Sequence, residues 1–130
     1  MIRLQIRRFF LLIILFVSFF LIAFAQCALF VQRVVDGDTI ILSDGQKVRL
    51  IGVDTPESVH PNKPVERFAK EAAEFTRRIA EGKKVRLEYD WQKTDKYGRI
   101  LAYVFVLEGE TEVFLNAEII KQGYGFAYLK

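Results

Sequence analysis

The sequence predicts a mainly β domain with two helices, a five-stranded OB-fold barrel of order β-β-β-α-β-β-α, set behind an N-terminal signal or anchor segment. Three observations carry this. Short runs rich in β-branched and aromatic residues alternate with Asp-Gly turn signals. A single amphipathic helical stretch falls between the third and fourth runs, where the OB fold places its helix. The chain has 130 residues, which accommodates one small domain and not two.

The N-terminal segment has to be set apart first. Arg3, Arg7 and Arg8 form a positive flank, and from Phe9 to Ala25 only Ser18 is polar. Ala23-Phe24-Ala25 then supplies the small-x-small pattern of a cleavage site, so residues 1–25 read as a secretory signal. The competing reading is an uncleaved anchor, because the apolar stretch is near the lower limit for crossing a bilayer and the flank would keep the N-terminus cytoplasmic. Both readings export the remainder, to the exterior or the cell envelope. Gln26 precedes Cys27 where a lipoprotein signal carries a small residue, which argues against lipidation.

The formal net charge of +3 belongs to this segment. Without its three arginines the basic residues number 16, equal to the 16 acidic ones, so any polyanion site must be a local arrangement rather than a basic surface. One Cys permits no internal disulfide. The domain has to be held by its core, with help from a metal as one possibility.

Phe30–Val35, Thr39–Leu42 and Lys47–Val53 read as three strands separated by Asp36-Gly37 and Asp44-Gly45. Val65, Phe68, Ala72, Phe75 and Ile79 recur at alternating three- and four-residue spacing and predict a helix of about four turns, ended by Gly82. Val85–Trp91 and Ile100–Leu107 are two further strands around a polar loop. Leu115, Ile119 and Ile120 fit a short second helix that Gly123 stops.

A two-residue turn at Asp44-Gly45 would pair Ile40 with Arg49 and Asp38 with Ile51, and so put Asp38, Ile40, Arg49 and Ile51 on one face. In ideal geometry Asp54 falls on the opposite face, and only a bend near Gly52 or Gly37 would bring it to Asp38. With that bend, Asp38 and Asp54 become a pair of hard oxygen ligands, and Glu57 adds a carboxylate three residues on. Pro56 restricts Thr55 to extended backbone. Such a set suits Ca²⁺. It does not suit zinc, for which a lone His60 and a lone Cys27 are too few. A cation beside Arg49, a spare carboxylate at Glu57 and a second arginine, Arg99, in Lys96-Tyr97-Gly98-Arg99 are equipment for attacking a phosphodiester. Singly each feature has an ordinary reading as a turn, a loop acid, a solvated arginine or a partly buried tyrosine.

Taken together, Val35-Asp36-Gly37-Asp38-Thr39, Val48-Arg49-Leu50-Ile51-Gly52-Val53-Asp54-Thr55-Pro56-Glu57 and Thr94-Asp95-Lys96-Tyr97-Gly98-Arg99 closely resemble the staphylococcal nuclease (thermonuclease) family. The likeness runs from about Leu29 to Tyr128 and includes Asn116 and Gln122-Gly123, so the domain is expected over residues 29–130. The resemblance implies an OB-fold enzyme that binds one Ca²⁺ and hydrolyses DNA and RNA, single-stranded or denatured, to 3'-phosphate ends. It further implies Asp38 and Asp54 as carboxylate ligands and Thr55 as a carbonyl ligand, Glu57 as general base, and Arg49 and Arg99 on the scissile phosphate. Lys96 and Tyr97 would contact a terminal phosphate and Tyr128 a base.

Two departures stand out. Lys130 replaces a second tyrosine, and the sequence stops where the family usually continues into a C-terminal helix, which leads to an expectation of marginal stability. The other function open to this sequence is a non-catalytic OB module binding nucleic acid or protein. The joint presence of Asp38, Arg49, Asp54, Glu57 and Arg99 favours the enzyme, expected as a monomer that meets a membrane only if residues 1–25 are retained.

Overall fold

Buried apolar residues from five strands close a barrel in the computed structural model, which describes residues 1–25, 28–58, 62–64 and 66–128. The strands are β1 (Leu29–Asp36), β2 (Thr39–Leu42), β3 (Lys47–Leu50), β5 (Lys84–Glu88) and β6 (Ile100–Glu108). Short β4 (Val53–Asp54) pairs with β8 (Phe126–Ala127), and β7 (Thr111–Phe114) extends the sheet beyond β6. The helices are α1 (Ile2–Ala25), α2 (Ala69–Ala80) and α3 (Leu115–Lys121).

Antiparallel pairing runs β3-β2-β1-β5-β6, and a parallel pairing of β3 with β6 closes the ring. Two register shifts bend β1, so that Leu29 and Phe30 pair with β5 while Val31 to Asp36 pair with β2. Bulges of this kind let one strand serve two sides of a small barrel. Inside lie Val31, Val34, Ile40, Leu42, Val48, Leu50, Val85, Ala102, Val104 and Val106. Leu115 and Ile119 of α3, with Phe75 and Ala80 of α2, cap this core.

The five barrel strands are the five that the sequence predicts, with differences that have physical causes. The β2–β3 hairpin turns through three residues, with Gly45 at φ 86°, and its register is Thr39 with Arg49, Ile40 with Val48 and Ile41 with Lys47. The two-residue turn is thereby corrected by one position. The predicted pairing would have set Arg49 beside Ile40 on the core face. The observed register instead buries Ile40, Leu42, Val48 and Leu50 together, and a one-residue slip would invert that face. The third strand stops at Leu50 because Gly52 adopts φ 73°, and Val53-Asp54 leaves to pair with β8. This is the bend that the sequence permits without requiring. The fourth strand ends at Glu88 rather than Trp91, whose indole is exposed.

The helix begins at Ala69, later than the apolar periodicity suggests. Phe68 is its N-cap in left-handed conformation, φ 65°, and its ring is exposed with the Arg67 guanidinium 4.8 Å from its centroid. Phe68 is therefore not part of the buried stripe, and Val65 lies outside the described residues, as do Cys27, His60 and Lys130. The buried face is built from small residues, Ala69, Ala72, Ala73 and Ala80, with Phe75 and Thr76. These allow α2 to approach the β1–β2 turn closely. The Thr76 hydroxyl donates to the Gly37 carbonyl at 2.6 Å, and a Cβ on Gly37 would stand 3.0 Å from that of Ala72 and 2.9 Å from the Thr55 side chain.

α1 is apolar, and its side chains from Ile2 to Phe19 are all exposed. Among the described residues, no helix is long and apolar enough to cross a membrane.

Asn116 on α3 ties the bend to the barrel. Its carboxamide oxygen accepts from Val104 N–H at 2.9 Å, and its nitrogen donates to the carbonyls of Ile51 at 2.9 Å and Ala102 at 3.3 Å. Asn116→Ala strands these buried groups and is expected to cost roughly 2–4 kcal/mol. Urea unfolding checks this, and an unchanged midpoint would remove Asn116 from the account.

Candidate active site

The site grows from the bend. With β3 stopped at Leu50, the Arg49 side chain, partly buried beside β2, turns along its own strand end. Its Nη1 donates to the carbonyls of Leu50 at 3.0 Å and Val53 at 2.5 Å, and its Nη2 lies 3.2 Å from both Asp38 Oδ2 and Asp54 Oδ1. One guanidinium thus wraps the turn and joins the two carboxylates. Asp38 is brought in from the β1–β2 turn and is nearly buried. Its Oδ1 accepts from the Thr39 hydroxyl at 2.9 Å, and its Oδ2 accepts from Thr55 N–H at 2.9 Å. Asp54 stands at the rim with 59% of its side chain exposed, against 8% for Asp38.

Asp38, Arg49, Asp54 and Thr55 therefore form one hydrogen-bonded group. Asp38 and Arg49 meet through the reach of the arginine fork rather than through the shared strand face that the two-residue turn suggests. Breaking such a group by removing one partner leaves a charge in a place water reaches poorly, a change that typically costs about 3–5 kcal/mol for buried pairs and less at a rim.

Glu57 is not part of that group. Its backbone is pinned, since Glu57 N–H donates to Glu66 Oε2 at 3.0 Å and the Glu57 carbonyl accepts from Glu66 N–H at 3.1 Å. Ser58 is held next to it by Asp36, whose Oδ1 accepts from Ser58 N–H at 3.0 Å and from the Ser58 hydroxyl. The Glu57 side chain itself is exposed. Among the described residues, no three His, Cys, Asp or Glu side chains converge as a metal cage.

The donor set nonetheless fits a hard cation. Two carboxylates converge on one positively charged nitrogen, and all the available ligands are oxygens. Asp54 is open to water, which would complete a flexible coordination shell. Asp38 and Asp54 are the side chains that could hold such an ion, with the Thr55 backbone bonded to Asp38 beside them.

Arg99 immediately precedes β6, whose Leu101 pairs with Arg49, so it enters beside the strand that carries Arg49, with its side chain in contact with Asp95 and the Tyr97 ring. Its loop is organised by Asp95. Asp95 Oδ1 accepts from the N–H groups of Tyr97 and Arg99, both at 2.9 Å, and Oδ2 accepts from Arg99 Nε at 2.7 Å. Burial opposes ionisation of Asp95, but the Arg99 N–H and guanidinium, with the Tyr97 N–H, outweigh it and hold the carboxyl below its ordinary 3.8. The stabilisation it gives the loop is present above that ordinary value and is lost only as acid carries the pH through the lowered one. Lys96 Nζ and Arg99 Cζ lie 5.0 and 5.4 Å from the centroid of the Tyr97 ring, which is exposed. Lys96, Tyr97 and Arg99 thus make a second group around Asp95.

Tyr128 joins neither group through its side chain. Its N–H donates to the Gly52 carbonyl at 2.9 Å, which sets it next to the bend with its ring half exposed. Gly125 comes close beneath, and a Cβ there would meet the Asp54 carbonyl at 3.0 Å.

Asp36, Glu66 and Asp95 support the site without having been singled out from the sequence. For Asp95 a signal exists, since Asp at the first position of a turn and Gly98 at the fourth mark a type I turn, and Gly98 N–H donates to the Asp95 carbonyl at 3.1 Å. Asp36 and Glu66 bond to residues far along the chain and carry no local signal.

Comparison with known proteins identifies the relatives of this chain. Residues 47–130 match the family described as Staphylococcal nuclease homologue. The chain is 54% identical over 96 residues to the Thermonuclease of Staphylococcus hyicus, covering 72% of this chain and 54% of that protein. It is 53% identical over 96 residues to the Thermonuclease of Staphylococcus intermedius, covering 72% and 55%. To Endonuclease YncB of Bacillus subtilis it is 41% identical over 96 residues, covering 71% and 44%. The chain spans about half the length of the curated relatives it matches. By its barrel, its motifs and these likenesses, the chain belongs to the staphylococcal nuclease family.

Proposed function

We propose that this chain is a Ca²⁺-dependent phosphodiester hydrolase acting on DNA and RNA with little sequence preference and leaving 3'-phosphate ends. The observation that carries it is the Arg49 fork joined to Asp38 and Asp54, the two oxygen ligands and the phosphate-binding cation that the reaction requires, in a chain whose relatives are named for nuclease activity.

Asp38, Asp54 and the Thr55 carbonyl would hold the ion, which when bound would supply positive charge to the phosphate oxygens. Arg49 binds a non-bridging phosphate oxygen, which it can do by exchanging its outer contact with exposed Asp54 for the substrate. Glu57 accepts a proton from the attacking water, whose oxygen forms the new bond to phosphorus. The bond from phosphorus to the 5'-oxygen breaks, Arg99 donates a hydrogen bond to that leaving oxygen as charge develops, and a proton from solvent completes the 5'-hydroxyl. The phosphate stays on the 3' side, so the products are a 3'-phosphate and a 5'-hydroxyl. Lys96 and Tyr97 lie in the Arg99 loop and serve a terminal phosphate, and Tyr128 offers a half-exposed ring to a base. None of these groups reads a base edge, so binding is governed by backbone charge and weakens with salt.

The exposed apolar side chains of α1 up to Phe19, with its arginine flank, support export with residues 1–25 removed. The domain acts as a monomer.

Cleavage of denatured DNA by the purified chain, with Ca²⁺ and with chelator, tests the reading, and chelation is expected to abolish it. Glu57→Gln should lower turnover by roughly two to four orders of magnitude while leaving binding nearly intact. Equal loss of both would contradict its role as base, and DNA binding without cleavage by the unaltered chain would favour the binding module. Arg49→Lys should cost at least about tenfold in kcat, since a point charge cannot replace a planar fork that grips several acceptors. Near-normal turnover would remove Arg49 from the phosphate site.

A further inference from the structure

Asp95 makes more contacts to the Arg99 loop than a turn needs. Through Oδ1 it accepts the Tyr97 and Arg99 N–H groups, and these are sufficient to shape the turn. Through Oδ2 it also accepts Arg99 Nε at 2.7 Å, with its side chain only 10% exposed and that of Arg99 27% exposed. The Tyr97 ring lies against the same guanidinium. A long arginine side chain is thus fixed at its Nε edge and along one face, while no described residue accepts from its Nη groups. Those are the donors that form a fork towards phosphate.

We infer that Asp95 is a positioning residue that aims the Arg99 guanidinium at the substrate phosphate, beyond its part in shaping the turn. The inference rests on Arg99 serving the phosphate as proposed above. Orientation matters because Arg99 is needed as charge develops on the leaving oxygen, and a misplacement of about 1 Å can cost on the order of a hundredfold in rate. Free rotation of the side chain would dilute the productive geometry, and Asp95 removes that freedom before substrate arrives.

Asp95→Asn separates the two parts of the role. An amide keeps the oxygen that accepts from the Tyr97 and Arg99 N–H groups, but it turns its NH₂ donor towards Arg99 Nε–H, and two donors cannot bond. The turn survives and the aim is lost.

The test is steady-state cleavage of denatured DNA with Ca²⁺ by the full chain, as Asp95→Asn, Arg99→Ala and the double variant. Thermal melting confirms that each is folded. The expected result is a fall in kcat of roughly 10–100-fold for Asp95→Asn with KM little changed, and no further fall when Asp95→Asn is added to Arg99→Ala. Unchanged kcat in Asp95→Asn, or the same fall with and without Arg99, would overturn the inference while leaving Arg99 in its role. Wild-type activity in Arg99→Ala would overturn the role of Arg99, and the inference with it.

Discussion

The Arg49 guanidinium is the tie on which the site depends. It bonds the carbonyls of Leu50 and Val53 on either side of the Gly52 bend and reaches the carboxylates of Asp38 and Asp54 with its other nitrogen. A single planar cation satisfies backbone acceptors left over where β3 ends and neutralises two acids that would otherwise repel. Those same acids are the oxygen donors of the proposed ion site, and the same guanidinium is its proposed phosphate ligand. Local structure and proposed chemistry therefore use the same atoms.

The rest of the barrel holds that bend in place. Gly52 supplies the left-handed backbone, Asn116 ties Ile51 to β6, and the β4–β8 pair with the Tyr128 N–H bond closes over it. On the other side, α2 sits close against Gly37, where Thr55 and Ala72 leave no room for a side chain. Asp38 is thus placed by a turn wedged under a helix, and Asp54 by a turn pinned to another helix and a strand. The second group belongs to a loop organised largely by Asp95, with Gln92 Nε2 donating to the Thr94 carbonyl and Leu101 N–H to the Lys93 carbonyl, and anchored to the barrel by β6. A well-tied centre with a more exposed rim suits the proposed nuclease, which would have to admit a polymer of varied sequence.

Much of this was legible in the sequence where the signal is local. The glycine stops after α2 and α3 and the order of barrel strands and helix follow from periodicity and turn chemistry. The hairpin register did not, because Asp44-Gly45 suits a two- or a three-residue loop equally, and burial of Ile40 with Val48 decides between them. Phe68 keeps helical spacing yet stands outside the helix, since spacing does not report a left-handed cap. The strands β7 and β8 are short and find their partners only in three dimensions. For the site, the motifs named Asp38, Arg49, Asp54 and Arg99, whereas the bend joining Asp38 to Asp54 was only permitted by Gly52. The roles of Asp36 and Glu66 rest on pairings across many residues and could not be read from either neighbourhood.

The central claim is that Asp38 and Asp54, joined through the bend, hold a hard cation. Calorimetric titration of Ca²⁺ into the purified chain and into Asp54→Asn tests it most directly, since Asp54 is exposed and its loss spares the core. The account predicts one binding site in the unaltered chain and a loss of affinity of at least about tenfold in the variant. Equal binding by both proteins, or no binding by the unaltered chain while folded, would contradict it.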